Sequence, residues 1–390
     1  MKSWIHLSRG KVLRQAHVGL ESLGGLKEDL LSRKGFSGRV AVLYRKNEPT
    51  AWSRIEGGMQ PLDLDGYRLE PTDLGSASGG PMRLFFNRDV SVWVSRRRDP
   101  MSYSCRNADG DEVHFVHEGT GVFDTEFGPI PYEPGDYIVL PKGVTYRIVP
   151  DGPKNYFFLI ESVAEIEIST IGPIGSHAPF DPAVLFIPTP KAEYSETSDA
   201  GSTATAAGSR EWVVRIKHGN QYSSVYYPFD PIDAVGWKGD LFPFKINIRD
   251  YRPITSNRMH LMPSAHSIFA AQGFVVCNFL PRPAEGEREV ERVPPFHRNV
   301  DYDEVMFAHA GKVLSSEIAP ASISLLPQGL HHGLPDSFSR LVRQHWQQHD
   351  HYEQKLIAVD TVLPLSISPE VLHAARKMDQ ILSGGGTRAD

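Results

Sequence analysis

Residues 104–119 read SCRNADGDEVHFVHEG, and residues 296–311 read FHRNVDYDEVMFAHAG. Nine of these sixteen positions are identical without a gap, which marks two copies of one structural unit. The correspondence continues downstream, where Pro141-Lys142-Gly143-Val144-Thr145-Tyr146 matches Pro327-Gln328-Gly329-Leu330-His331-His332. Around the first copy, strand-like runs follow at short intervals: Val90–Ser95, Val113–Val116, Gly121–Thr125, Tyr137–Leu140, Thr145–Val149 and Tyr156–Ile160. Short strands at this spacing predict a sandwich or barrel. Thirty-four glycines and 30 prolines favour turns over long helices, and 390 residues suit two domains.

The fold expected is therefore mainly β, with two β-barrel or jelly-roll domains and a C-terminal helix. The domains are placed at 1–194 and 210–390. Ser195–Ser209, small and polar throughout, is read as a loop or linker. Strands resume at Trp212. The closing helix is predicted from Ser368 as N-cap, Pro369 at the first helical position and an apolar stripe of Val371, Leu372, Ala375, Met378 and Leu382 before Gly384. Residues 1–85 offer short strands and loops and little chemistry.

Comparing the copies at positions able to bind metal separates them. The first has Cys105, Glu112 and Tyr146; the second has His297, Glu304 and His332. Two imidazoles and one carboxylate form the facial set that holds Fe(II) with open positions. Strand alternation puts Glu304, Met306 and Ala308 on one face, so His309 falls on the other and is read as structural, like its counterpart His117. His331 neighbours His332 and remains a rival ligand or a pocket residue. Tyr302, replaced by Gly110 in the first copy, is a candidate for lining the pocket. Arg298, repeated as Arg106, is better read as scaffold, and Lys238 as a turn lysine.

These stretches resemble the cupin pattern Glu-x6-Gly followed by Pro-x-Gly-x-x-His. More closely, the chain resembles the homogentisate 1,2-dioxygenase family in its shorter bacterial form. The resemblance is carried by RQAHVG (14–19), GRVAVLY (38–44), FVHEGTG (115–121), PYEPGDYIVLPKGVTYR (131–147), IGPIGS (171–176), YPFDPIDAVGWKGDLFPFKINIRDYRP (227–253), HRNVDYDEVMF (297–307) and PQGLHHG (327–333). It implies a bicupin with Fe(II) on His297, Glu304 and His332, and cleavage of a hydroquinone ring with both atoms of O2 ending in the product. A small aromatic substrate and O2 are the partners implied, with a homo-oligomer built as a trimer or a pair of trimers. The family's pocket base lies in a His-x-x-Pro-Ser context, which here gives His260; His266 is the rival, and a purely structural histidine the third reading. Two family pocket residues, a histidine and a tyrosine, are replaced here by Leu326 and Val313, which points to a different ring.

Three further readings compete with ring cleavage: an iron oxygenase acting on a specialised aromatic metabolite, a non-catalytic small-molecule-binding cupin, and a zinc-dependent cupin isomerase. A net charge of −6 gives no reason to expect nucleic acid or an acidic membrane. The basic run Arg96-Arg97-Arg98 is read as a solvated turn. Two distant cysteines, Cys105 and Cys277, and a start without an apolar run fit a reducing cytoplasm. No stretch is apolar enough to span a bilayer.

Overall fold

The computed structural model describes residues 7–33, 39–59, 61–169, 177, 179–190, 202–204, 210–258, 260–261, 263–299, 301–313, 316–372 and 375–377. The predicted strands form: Asp111–Glu118, Gly121–Thr125, Asp136–Leu140, Thr145–Pro150 and Tyr156–Ser162 all lie in the first half, with Val90–Ser95 beside them. Apolar and β-branched residues dominate these runs, and most of their side chains are fully buried.

The duplication is visible in the sheets. In the first half, strand order runs Asp136–Leu140, Asp111–Glu118, Tyr156–Ser162, Val90–Ser95, Met82–Phe86. In the second it runs Ser322–Leu326, Asp303–Ala310, Lys355–Thr361, Phe274–Phe279, Ser267–Ala271. Even the register repeats. Glu112 stands opposite Leu140 and Glu161, and Glu304 stands opposite Leu326 and Asp360.

The two halves exchange strands. Phe244–Asn247, from beyond residue 209, closes the edge at Asp136–Val139 of the first sheet, while Leu62–Asp65 closes the edge at Ser322–Leu325 of the second. Arg210–His218 runs parallel to Ser104–Asn107, as Lys27–Ser32 runs parallel to Phe296–Asn299. Each of these added strands brings a hairpin partner, Gln221–Tyr227 and Val40–Arg45 respectively. A sheet edge left open carries unpaired backbone groups, and each half covers the other's. Of the segment read as linker, Ser202–Ala204 is a strand paired with Arg210–Trp212, and the rest lies largely outside the described residues.

The two barrels pack back to back through one continuous apolar cluster. Phe307 stacks on Phe158 with centroids 4.7 Å apart. At the same seam the Nδ1 atoms of His117 and His309 are 2.9 Å apart, and Tyr137 donates from its hydroxyl to Asn278 Oδ1 at 2.5 Å. The strand Asp303–Ala310 thus turns Phe307 and His309 toward the first barrel and Glu304 away from it.

The C-terminal helix begins at Pro369 but ends after one turn, at Leu372. Ala375–Lys377 is extended and pairs with Leu62–Leu64, which corrects the longer helical stripe; Met378, Leu382 and Gly384 lie outside the described residues. Strand pairing along an open edge outweighs the modest helix propensity of a four-residue start. A helix not anticipated from the sequence, Asp336–Gln344, follows the second barrel's Pro-x-Gly turn. The basic run is not a solvated turn: Arg97 is 2% exposed and donates to the carbonyls of Ala77 and Gly79.

Candidate metal centre

His297 and His332 meet across an isolated antiparallel bridge. Each backbone N–H donates to the other residue's carbonyl, at 3.0 and 2.9 Å. Directly opposed residues in such a pair project to one face, so the two imidazoles lie together with centroids 4.0 Å apart. Gly333 makes the close approach possible. Its φ is +138°, and a Cβ there would stand 3.2 Å from the Phe296 backbone. Glu304 enters from the neighbouring strand, its Oε2 3.8 Å from His332 Nε2. The three ligand atoms lie within 4.8 Å of one another, and all three residues are buried.

The hydrogen bonds set the imidazoles up as donors to a cation. His297 Nδ1 lies 2.9 Å from the Pro295 carbonyl, and His332 Nδ1 lies 3.2 Å from that of Leu330. A carbonyl only accepts, so each Nδ1 carries the proton and each Nε2 keeps its lone pair. Burial holds His332 at about 4, and burial followed by the proximity of His332 holds His297 well below the ordinary imidazole value. Both rings are neutral at pH 7. His332 Nε2 is buried without a hydrogen-bond partner among the described residues. Ligand atoms each about 2.0–2.2 Å from one ion stand roughly 3–4 Å apart, so the donor set fits a divalent metal.

The other sequence candidates divide. His331 points away, its Nε2 3.2 Å from Asp29 Oδ2 and in contact with Arg298. Asp29 is fully buried and also takes Arg45 and Arg298. Burial works against its ionisation, but the bonds from His331 and Arg45 prevail and keep it below the usual carboxylate range. Asp29 sits on the strand that runs beside His297, so residues 1–85 carry more of the site than expected from the sequence. Arg298 is tied into this scaffold. Tyr302 is partly buried, with burial and then Asp360 raising its hydroxyl. Lys238 is exposed. Leu326 stands directly opposite Glu304, whereas Val313 lies on a short separate hairpin.

His260 hydrogen-bonds through Nδ1 to Glu285 Oε1 at 3.1 Å, and Glu285 Oε2 accepts from the Tyr352 hydroxyl at 2.6 Å. Burial tends to raise Glu285, but these bonds outweigh it and keep it ionised. His266 is fully buried, and neither ring nitrogen has a partner among the described residues. Burial, then Arg282 and His260, press it to about 3.

Besides Asp29, two residues escaped the sequence reading. Glu285 lies in a charged stretch with no motif. Asp360, buried beside Glu304, has its carboxyl driven well above the ordinary value by burial and then by that neighbour. The repeat held a signal for it, because Asp360 occupies the register position of Glu161.

Residues 84–248 match the family described as homogentisate 1,2-dioxygenase N-terminal. A protein of Saccharolobus solfataricus bearing the name "Putative dioxygenase" is 29% identical over 343 residues, spanning 83% of this chain and 85% of that one. Over residues 84–248 the chain is thus similar to the homogentisate 1,2-dioxygenase family. The family match covers the first barrel, and the triad lies beyond its end. Among solved structures, a cupin 2 conserved barrel domain protein from Leptotrichia buccalis shares 9% identity over 73% of this chain and 88% of its own, with a TM-score of 0.32. Protein Ylba from E. coli shares 7% over 80% and 95%, with a TM-score of 0.36. The bicupin architecture stands on the duplicated sheets themselves. Among the described residues, no helix is long and apolar enough to cross a membrane.

Proposed function

We propose that this chain is a non-haem Fe(II) dioxygenase that opens the ring of a hydroxylated aromatic, with His297, Glu304 and His332 holding the iron. The observation that carries this reading is the buried triad of two neutral imidazoles and a carboxylate, converging on one point in a chain related to ring-cleaving dioxygenases. Bound there, Fe(II) would supply the one-electron chemistry that lets O2 react with a closed-shell ring.

The chain's own residues then bind the substrate, orient it and handle its proton. His260 is the base: with Nδ1–H held by Glu285, its Nε2 is presented as the acceptor for a phenolic proton, and the carboxylate stabilises the imidazolium that results. Tyr352 fixes Glu285 in turn. Leu326 offers no hydrogen bond beside Glu304, which favours a ring other than that of homogentisate.

Anaerobic reconstitution with Fe(II), followed by oxygen uptake with homogentisate, gentisate, hydroxyanthranilates and catechols, tests the proposal. Stoichiometric O2 consumption with a ring-opened product supports it. Product that retains an intact ring favours the alternative of an oxygenase on a specialised metabolite. No uptake with any aromatic contradicts both.

A further inference from the structure

A cavity in the first barrel is left without a role. A cavity of about 370 Å³ occupies the place where the second barrel has its triad, and Cys105, Glu112 and Tyr146 all line it. That volume lies within the roughly 300–1,000 Å³ typical of small-molecule sites. Loss of metal ligands alone would be expected to let a barrel collapse around apolar side chains. Here the space is kept and furnished.

Its walls are aromatic, with Trp93, Tyr103, Tyr146 and Tyr222 around it. Tyr222 is 53% exposed and marks the mouth. Three polar atoms on lining residues are buried without partners among the described residues: Trp93 Nε1, Arg97 Nε and His114 Nδ1. Arg97 is 2% exposed and His114 1%. Trp93 Nε1 and Arg97 Nε are donors, and a buried donor with no acceptor is costly, so a ligand oxygen would remove that cost; His114, whose Nε2 faces Glu112, presents Nδ1 as an acceptor. Arg215 lies over the Tyr103 ring at 4.0 Å and donates to the Ser78 carbonyl, and no carboxylate among the described residues forms an ion pair with it. The cavity therefore offers a cation that lacks an anion.

Glu112 supplies the opposite chemistry. It accepts from the Tyr146 hydroxyl at 2.7 Å and from Asn107 Nδ2 at 3.1 Å, with His114 Nε2 at 3.4 Å. A carboxylate has about four acceptor positions, so one is left for a ligand hydroxyl. A metal is not the natural occupant. The Cys105 thiol is pushed to about 12, by burial and then by Glu112, and so stays protonated.

We propose that the first-barrel cavity is a second small-molecule site, shaped for an aromatic carboxylate that carries a ring hydroxyl. The carboxylate pairs with Arg215, the ring lies among the aromatic walls, and the hydroxyl donates to Glu112. This site stands whether or not the second barrel carries iron.

Calorimetric titration with 4-hydroxyphenylacetate tests it, using EDTA-treated His332→Ala so that no chelation by the triad contributes. Binding of one molecule per chain is expected. Arg215→Ala should weaken it at least tenfold with an unchanged melting temperature, and Tyr222→Ala, at the exposed mouth, should weaken it without unfolding. Phenylacetate, lacking the hydroxyl, should bind about tenfold more weakly. Absence of binding overturns the proposal. So does binding that Arg215→Ala and Tyr222→Ala leave unaltered, which would place the ligand elsewhere. Oxygen uptake by the iron-loaded wild type reads the second barrel separately, so failure of one proposal is distinguishable from failure of the other.

Discussion

Acidification should loosen the seam between the barrels before it reaches most other contacts. His117 and His309 share one hydrogen bond, Nδ1 to Nδ1, so one ring donates and the other accepts. His117 Nε2 lies 3.1 Å from the Tyr67 hydroxyl, which itself donates to Glu118. The Tyr67 oxygen must then accept from His117 Nε2–H, which leaves His117 Nδ1 as the acceptor for His309. Protonating both rings would set two donors against each other. Burial holds His117 at about 4, and burial followed by His117 holds His309 at about 3, against 6.5 for an ordinary imidazole. These values are depressed in the folded state, so the unfolded chain takes up protons first as pH falls. The stabilisation is complete above the ordinary value and is lost progressively below it, down to about 4 and 3. At about 1.4 kcal/mol per unit, moving from pH 7 to pH 5 costs about 2 kcal/mol for each histidine, or about 4 kcal/mol for the pair. Urea denaturation followed by tryptophan fluorescence at both pH values reads this directly. The double variant His117→Gln, His309→Gln retains the other buried histidines, so its pH dependence should be shallower by about that amount. An equally steep fall in wild type and double variant would refute this reasoning.

Other expectations concern the site itself. His260→Gln should lower kcat by about 10²–10⁴-fold with iron content unchanged, and the defect should shrink as pH rises and more phenol arrives ionised; an effect at His266→Gln instead would move the role there. Homogentisate should be a poorer substrate than for enzymes with a polar residue at the Leu326 position, because one lost buried partner costs about 1–3 kcal/mol. A kcat/KM equal to theirs would contradict that. Asp29→Ala leaves Arg298 and His331 without their buried carboxylate, and should cost about 3–5 kcal/mol, seen as a lowered melting temperature; an unchanged melting temperature would show that the scaffold does not depend on it.

Much of the architecture was legible because duplication is written in residues of strong chemical character. Glu304 and His332 could be aligned to Glu112 and Tyr146, and the period-two alternation around Glu304 separated it from His309. The reciprocal exchange of strands was not legible: Leu62–Asp65 and Phe244–Asn247 are short runs whose partners lie far away in sequence, and alternation says nothing about which edge a strand joins. The same reason hid Asp29, which reaches the site only because its strand pairs in parallel with the one bearing His297. The terminal helix was overestimated because Ala375–Lys377 pairs its backbone with the distant Leu62–Leu64, a contact that helical spacing of apolar residues cannot reveal.

The most direct test is metal content per chain after anaerobic loading with Fe(II) and removal of excess. One iron is expected in the wild type and in Cys105→Ala, and little in His332→Ala, since the first barrel lacks imidazole ligands at the equivalent positions. Two irons per chain, or full retention of iron in His332→Ala, would contradict the assignment of the centre to His297, Glu304 and His332.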